Sequence, residues 1–268
     1  MTILCVLLAA CGAERRSGGG PDGGGGGDSG NGGGSGSNGV VTYVYAQTAS
    51  TLFRVDPDTL AIMKVGDFGW PSSVGSDQMT DIAIDQNGTM IGISYTRVYR
   101  VDTTTAACTL LSPSLGGSFN GLSFVPATML GMTGDDVLVG TRNSDGKVFR
   151  IDPMTGTPTQ VGDMGAGFAS SGDLVAVEGF GTVQTVPGSS GDVLAKLASG
   201  SFAASAIGAG TGYSDIWGVA FWKNKIYGFT DGGDFVLIDP STGSATRVTS
   251  TSQAWWGAAV TTLAPVIQ

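Results

Sequence analysis

An all-β ring of five four-stranded antiparallel blades is the fold this sequence predicts, and three observations predict it. The first is a repeated unit, KVFRIDPMTG at residues 147–156, matched by LFRVDPDT at 52–59, VYRVDTTT at 98–105 and FVLIDPSTG at 235–243. The second is its period. Asp56, Asp102, Asp152 and Asp239 stand 46, 50 and 87 residues apart. The last gap has room for a degenerate copy, and DVLAKLASG at residues 192–200 fits the place. Self-similarity at a period of 20–50 residues marks a repeat architecture. The third is a strand-like stretch at residues 254–263, AWWGAAVTTL, with no partner after it, where the first unit of the chain lacks a first strand. Radial repetition closed by such an exchange is a β-propeller.

The folded part begins near Val40. Strands are expected at 42–47, 52–56 and 61–66, which supply the second, third and fourth strands of blade 1. Blade 2 follows as 81–84, an Asn87-Gly88 hairpin turn, 90–95, RVYRVD and 108–112. Blade 3 is 119–125, 136–142, KVFRID and 157–163. Blade 4 is DLVAVEG, GTVQTVP, DVLAKLA and FAASAIG. Blade 5 is 217–222, KIYGFTD, DFVLID and SATRVTS, and residues 254–263 then complete blade 1. Alternating Val, Ile, Phe and Tyr between Gly, Asn and Asp favours strands and tight turns throughout. Aligned first strands put Ala83, Ser123, Ala176, Ala220 and Ala259 at one position, small residues suited to a crowded centre.

Composition narrows the chemistry. The 268 residues carry a net charge of −9 with 13% charged residues, so nucleic acid, which needs clustered Lys and Arg, is not an expected partner. The chain has no histidine, which removes Ser-His-Asp and Cys-His catalysis and most zinc sites. Its three cysteines make no disulfide framework, and Cys108 reads as a buried, inert thiol. No metal or cofactor is expected, and the domain is expected to be a monomer. The Asp-Pro-x-Thr-Gly turns serve structure: the Asp accepts from backbone N–H groups two residues on, Pro presets φ and Gly supplies φ > 0.

Residues 3–10 form an apolar run of eight, too short to span a bilayer, and it ends in LAAC at Leu8–Cys11. This resembles the lipobox of bacterial lipoproteins, which implies a signal peptide over 1–11 and lipidation of Cys11. No Lys or Arg precedes the apolar run, where a signal peptide carries them. Gly12 after the cysteine implies, by the same resemblance, the outer membrane of a two-membrane cell envelope. Residues 12–39 read as a Gly/Ser-rich flexible tether of 28 residues, with a reach of about 30 Å. The propeller then spans 40–268. The repeated (Leu/Val)-(Tyr/Phe)-Arg-(Ile/Val)-Asp-Pro-x-Thr-Gly unit is similar to that of secreted bacterial propellers, many of them without an assigned activity.

Ligands of such a ring bind where loops and inner-strand ends surround the channel. The alignment puts Thr80, Asn120, Asp173, Trp217 and Trp256 there, with Asp81, Asp215 and Trp255 beside them. Aromatic faces with carboxylates and an amide suit a sugar, so Asp81, Asn120, Asp173, Asp215, Trp217 and Trp256 are the candidate ligand-binding residues. The expected function is a membrane-anchored, non-catalytic binding module for a carbohydrate or another envelope protein. Two rivals stand beside it: a passive scaffold, and a glycosidase in which Asp81, Asp173 and Glu178 converge, as five-bladed glycosidases suggest at the level of fold.

Overall fold

The computed structural model describes residues 34–35 and 41–267 apart from 166. Twenty strands form five sheets of four, every neighbouring pair antiparallel. Blade 2 holds Asp81–Ile84, Met90–Ile93, Val98–Val101 and Cys108–Ser112. Blade 3 holds Gly121–Val125, Val137–Thr141, Lys147–Ile151 and Pro158–Asp163. Blade 4 holds Leu174–Val177, Gly181–Gly188, Gly191–Leu197 and Ala204–Ile207, and blade 5 holds Ile216–Trp222, Lys225–Thr230, Asp234–Ile238 and Ala245–Ser250. Blade 1 is composite: Gly257–Ala259 pairs with Val44–Gln47, which is followed by Thr51–Val55 and Ile62–Asp67. The predicted five-bladed propeller and its closure by the C-terminal strand are both observed.

Burial falls from the axis outward. First and second strands are buried almost throughout, whereas the fourth strands Ile62–Asp67, Pro158–Asp163 and Ala245–Ser250 have no buried residue. The core therefore lies between blades, where neighbouring sheets face each other. Ala83, Leu122, Phe124 and Leu138 join blades 2 and 3, and Val125, Val139, Ala176 and Val186 join blades 3 and 4. Trp255, fully buried, packs edge-on against Phe53 of blade 1 and Phe229 of blade 5, with ring centroids 5.1 and 5.5 Å away. It clasps the ring at its seam. Burying such a side chain contributes roughly 1.5–3 kcal/mol or more.

The turns obey a backbone rule more than an Asp rule. Asp56 Oδ1 accepts the N–H groups of Asp58 and Thr59, both at 2.9 Å, and Asp102, Asp152 and Asp239 do the same in their blades. The residue four places on is left-handed in every blade: Leu60, Ala106, Gly156, Phe202 and Gly243. In blade 4 the turn starts at Ala198, which has no carboxylate; its N–H donates to Ala203 O and its C=O accepts from Phe202 N–H, as Asp56 does with Ala61 and Leu60. At Gly156 and Gly243 a neighbouring carbonyl also fills the space a Cβ would take, which is why glycine stands there and Leu, Ala or Phe elsewhere.

One element departs from expectation. The pairing of residues 254–263 with Val44–Gln47 stops at Ala259, and the chain then turns across the face of the disc away from the first-strand starts, with a single bridge from Thr261 to Ile84. Thr261 Oγ1 donates to Asp85 O at 2.9 Å, and Thr262 Oγ1 to Asp136 Oδ2 at 2.5 Å. Thr262 O accepts from Glu178 N, and Pro265 O from Lys223 N, both at 2.8 Å. This short segment touches blades 2, 3, 4 and 5 in turn. It seals that end of the axis.

The direction of Val44–Gln47 fixes where the chain enters. It runs antiparallel to Gly257–Ala259, with Gln47 beside Gly257 at the first-strand starts. The chain therefore arrives from the sealed face. Upstream, Gly34–Ser35 pairs with Val41–Thr42, the one part of the expected tether that the structure describes. The expected signal segment and lipidated Cys11 lie outside the described residues.

Candidate functional site

At the open end of the axis, a cleft of about 300 Å³ is lined by Thr80, Asn120, Trp217 and Trp256 from the first-strand starts. Tyr95 and Asn143, just past the ends of two second strands, add to it, as do Ser118, Phe119, Ser171 and Gly172 from the loops leading into blades 3 and 4. The local geometry repeats. Thr80, Asn120 and Trp256 each donate a backbone N–H to the last carbonyl of the adjoining second strand: Ile93, Thr141 and Gln47. Trp217 falls in a β-bulge, between the pairs Ile216↔Thr230 and Gly218↔Phe229, and such a bulge re-aims a side chain, here toward the cleft. Asp192, almost fully buried, steadies this bulge: its Oδ2 accepts Ile216 N–H at 2.7 Å.

Four aromatic residues line the cleft, Tyr95, Trp217 and Trp256 together with the buried Phe119, and the first three form a corner. Trp256 stands 6.3 Å from Trp217 at 76° and 6.4 Å from Tyr95 at 75°. Tyr95 is 59% exposed, which leaves a large apolar face open to solvent. None of the lining residues is charged. Asn120 Nδ2 donates to Ser170 O at 3.2 Å, while its Oδ1 is buried and meets no donor among the described residues.

Beneath the cleft the axis is filled by two carboxyls. Asp173 and Asp81 are both fully buried. Asp173 Oδ1 accepts N–H groups from Leu122 at 3.3 Å and Leu174 at 2.6 Å, and its Oδ2 accepts Val219 N–H at 3.0 Å. One carboxylate thus satisfies first strands of blades 3, 4 and 5, whose free edges face the axis and would otherwise bury unpaired N–H groups. Asp81 Oδ1 accepts Ile82 N–H at 2.8 Å, and the two carboxyls hydrogen-bond to one another. Burial, and then the charge of Asp173, raise Asp81 well above the ordinary carboxylate range. Asp173 is raised by burial too, against the pull of the three N–H groups. Burial thus favours the protonated form of the pair, and Asp81 Oδ2 meets no N–H or O–H donor among the described residues. Two like charges side by side in the interior would be far costlier.

Gln47 completes this layer. It is fully buried beside Asp81 across Gly257, and neither amide atom has a hydrogen-bond partner among the described residues. Glycine is required at 257 because a Cβ would collide with the Asp81 carboxyl.

Of the six candidates, Asn120, Trp217 and Trp256 line the cleft together. Asp81 and Asp173 form its foundation, out of reach of solvent. Asp215 is exposed, left-handed and outside the lining, and Trp255 belongs to the core. Glu178 is exposed just past the far end of the strand that Asp173 precedes, about 16 Å along at 3.3 Å per residue. Asp81, Asp173 and Glu178 therefore do not converge. Tyr95, Asn143, Ser118 and Ser171 were missed because the alignment used first strands alone. An exposed aromatic directly after a strand is the signal that could have found Tyr95.

No family model and no curated protein matches this chain. Solved structures do. One is described as "The de novo evolutionary emergence of a symmetrical protein is shaped by folding constraints", with a TM-score of 0.53 at 17% identity, covering 85% of this chain and all of its own. Another, "Crystal structure of Nidogen/Laminin Complex", has a TM-score of 0.54 at 10% identity, covering 82% of this chain and 98% of its own. At such identities the likeness is one of fold.

Proposed function

We propose that this domain is a non-catalytic binding module whose ligand is a neutral carbohydrate held in the axial cleft. The observation that carries the reading is the lining itself: the Tyr95, Trp217 and Trp256 corner with Phe119, amides, hydroxyls and no charge, at the open end of the axis. Aromatic faces take the C–H face of a pyranose, and neutral amides and hydroxyls exchange hydrogen bonds with its hydroxyls. An anionic or cationic ligand would be left without a counter-charge in this cleft.

A hydrolytic reading finds little support. Its acids would be a solvent-inaccessible pair that carries structural hydrogen bonds, with Glu178, the third acid of that reading, on the opposite face. The module reading extends to display at a cell envelope through lipidated Cys11, which rests on the lipobox resemblance of residues 8–11. The experiment is a glycan binding screen on residues 38–268, with Trp217→Ala and Trp256→Ala beside it. Binding that the folded variants lose supports the cleft as the sugar site. A blank with every glycan turns the reading toward a protein partner.

A further inference from the structure

The cleft is blind, and this bears on what part of a glycan can enter. Directly below it, the first strands close on one another. A Cβ on Gly218 would stand 2.6 Å from the carbonyl carbon of Gly257, and one on Gly257 would run into Asp81. The Asp81–Asp173 pair fills what remains of the axis, pinned by the N–H groups of Leu122, Leu174 and Val219. Further down, residues 261–265 cross the other end. Nothing threads through this ring.

The walls set a second limit. A row of parallel platforms would suit a chain lying along the surface, one ring per sugar. Here Trp256 is nearly perpendicular to both Trp217 and Tyr95, so the rings make a corner that meets one guest on its face and its edge. The volume of about 300 Å³ sits at the low end of the ~300–1,000 Å³ of small-molecule sites. That is room for one ring.

Resting on the carbohydrate reading, we infer that the cleft recognises the terminal residue of a glycan end-on, one pyranose in the corner of Trp217, Trp256 and Tyr95 and the rest of the chain leading out to solvent. The site reads chain ends and is indifferent to chain length.

The test uses methyl glycosides of glucose, galactose, mannose and N-acetylglucosamine, with the matching homo-oligomers of two to four residues in free and non-reducing-end-capped forms. Binding is read by tryptophan fluorescence and calorimetry on residues 38–268. The expected result is that one methyl glycoside binds within about fivefold of its tetramer, and that capping the end abolishes binding of the oligomer. Trp256→Phe should weaken glycoside and tetramer by the same factor. Affinity rising about tenfold or more with each added residue, or capped and free oligomers bound alike, overturns end-on recognition and leaves the carbohydrate reading standing. Silence of the folded protein toward every probe overturns both.

Discussion

Asp81 and Asp173, from blades 2 and 4, meet on the axis, and through their carboxyls the first strands of four blades are tied to a single point. Asp173 accepts from blades 3, 4 and 5, and Asp81 brings in blade 2. The fifth first strand passes so close at Gly257 that only hydrogen fits between.

Stability should fall as pH rises from weakly acidic to alkaline. An unfolded chain loses the Asp81 proton near pH 4, whereas the folded chain keeps it well above that, so between the two values the native state binds more protons. The stability this group confers is complete below about pH 4 and drains away as pH climbs through the folded value. Asp81→Asn keeps a donor toward Asp173 without the proton. It should flatten this slope and match or exceed the wild type above neutrality, read as urea midpoints between pH 5 and 9. An unchanged slope would count against a protonated Asp81.

Asp173→Asn turns an acceptor of three N–H groups into a partial donor facing them. The expected loss is about 3–5 kcal/mol, the usual cost of breaking one side of a buried charged network. Denaturant melts at pH 6 measure it. A loss under about 1 kcal/mol would mean that the axis relaxes around water instead.

Adjacent tryptophans should behave oppositely. Trp255→Ala removes the clasp between Phe53 and Phe229 and should cost about 3–5 kcal/mol. Trp256→Ala should leave the melt nearly unmoved and abolish ligand binding. Thermal melts and binding isotherms on the two variants separate fold from site.

The C terminus should fail in two stages. Ending the chain after Val260 removes the bonds from Thr261, Thr262 and Pro265 to four blades, and should lower Tm while the melt stays cooperative. Ending it after Gln253 also removes Trp255 and the strand Gly257–Ala259, leaving blade 1 without its first strand. That shorter chain should lose its cooperative transition by calorimetry. Two identical melts would refute closure by this strand.

The blades were legible because each repeats the same local physics: alternating apolar residues, a tight turn, and a left-handed residue four places after the turn begins. The degenerate blade was legible from its spacing, although its turn at Ala198 dispenses with the carboxylate. The course of residues 261–265 was not. Val260-Thr261-Thr262 reads as continued strand, and only the approach of four other blades draws it aside. The cleft was half legible. Trp217 and Trp256 follow from the strand alignment, but whether an Asp at such a position faces solvent or the axis depends on how closely neighbouring blades approach. Gly218 and Gly257 decide that from across the ring.

Val44–Gln47 climbs toward the cleft, so the polypeptide joins the disc from behind. The described chain thus enters the disc at Val44 and leaves the composite blade after Ala259 on the same, sealed face, so neither end of that blade's paired strands crowds the rim of the aromatic corner.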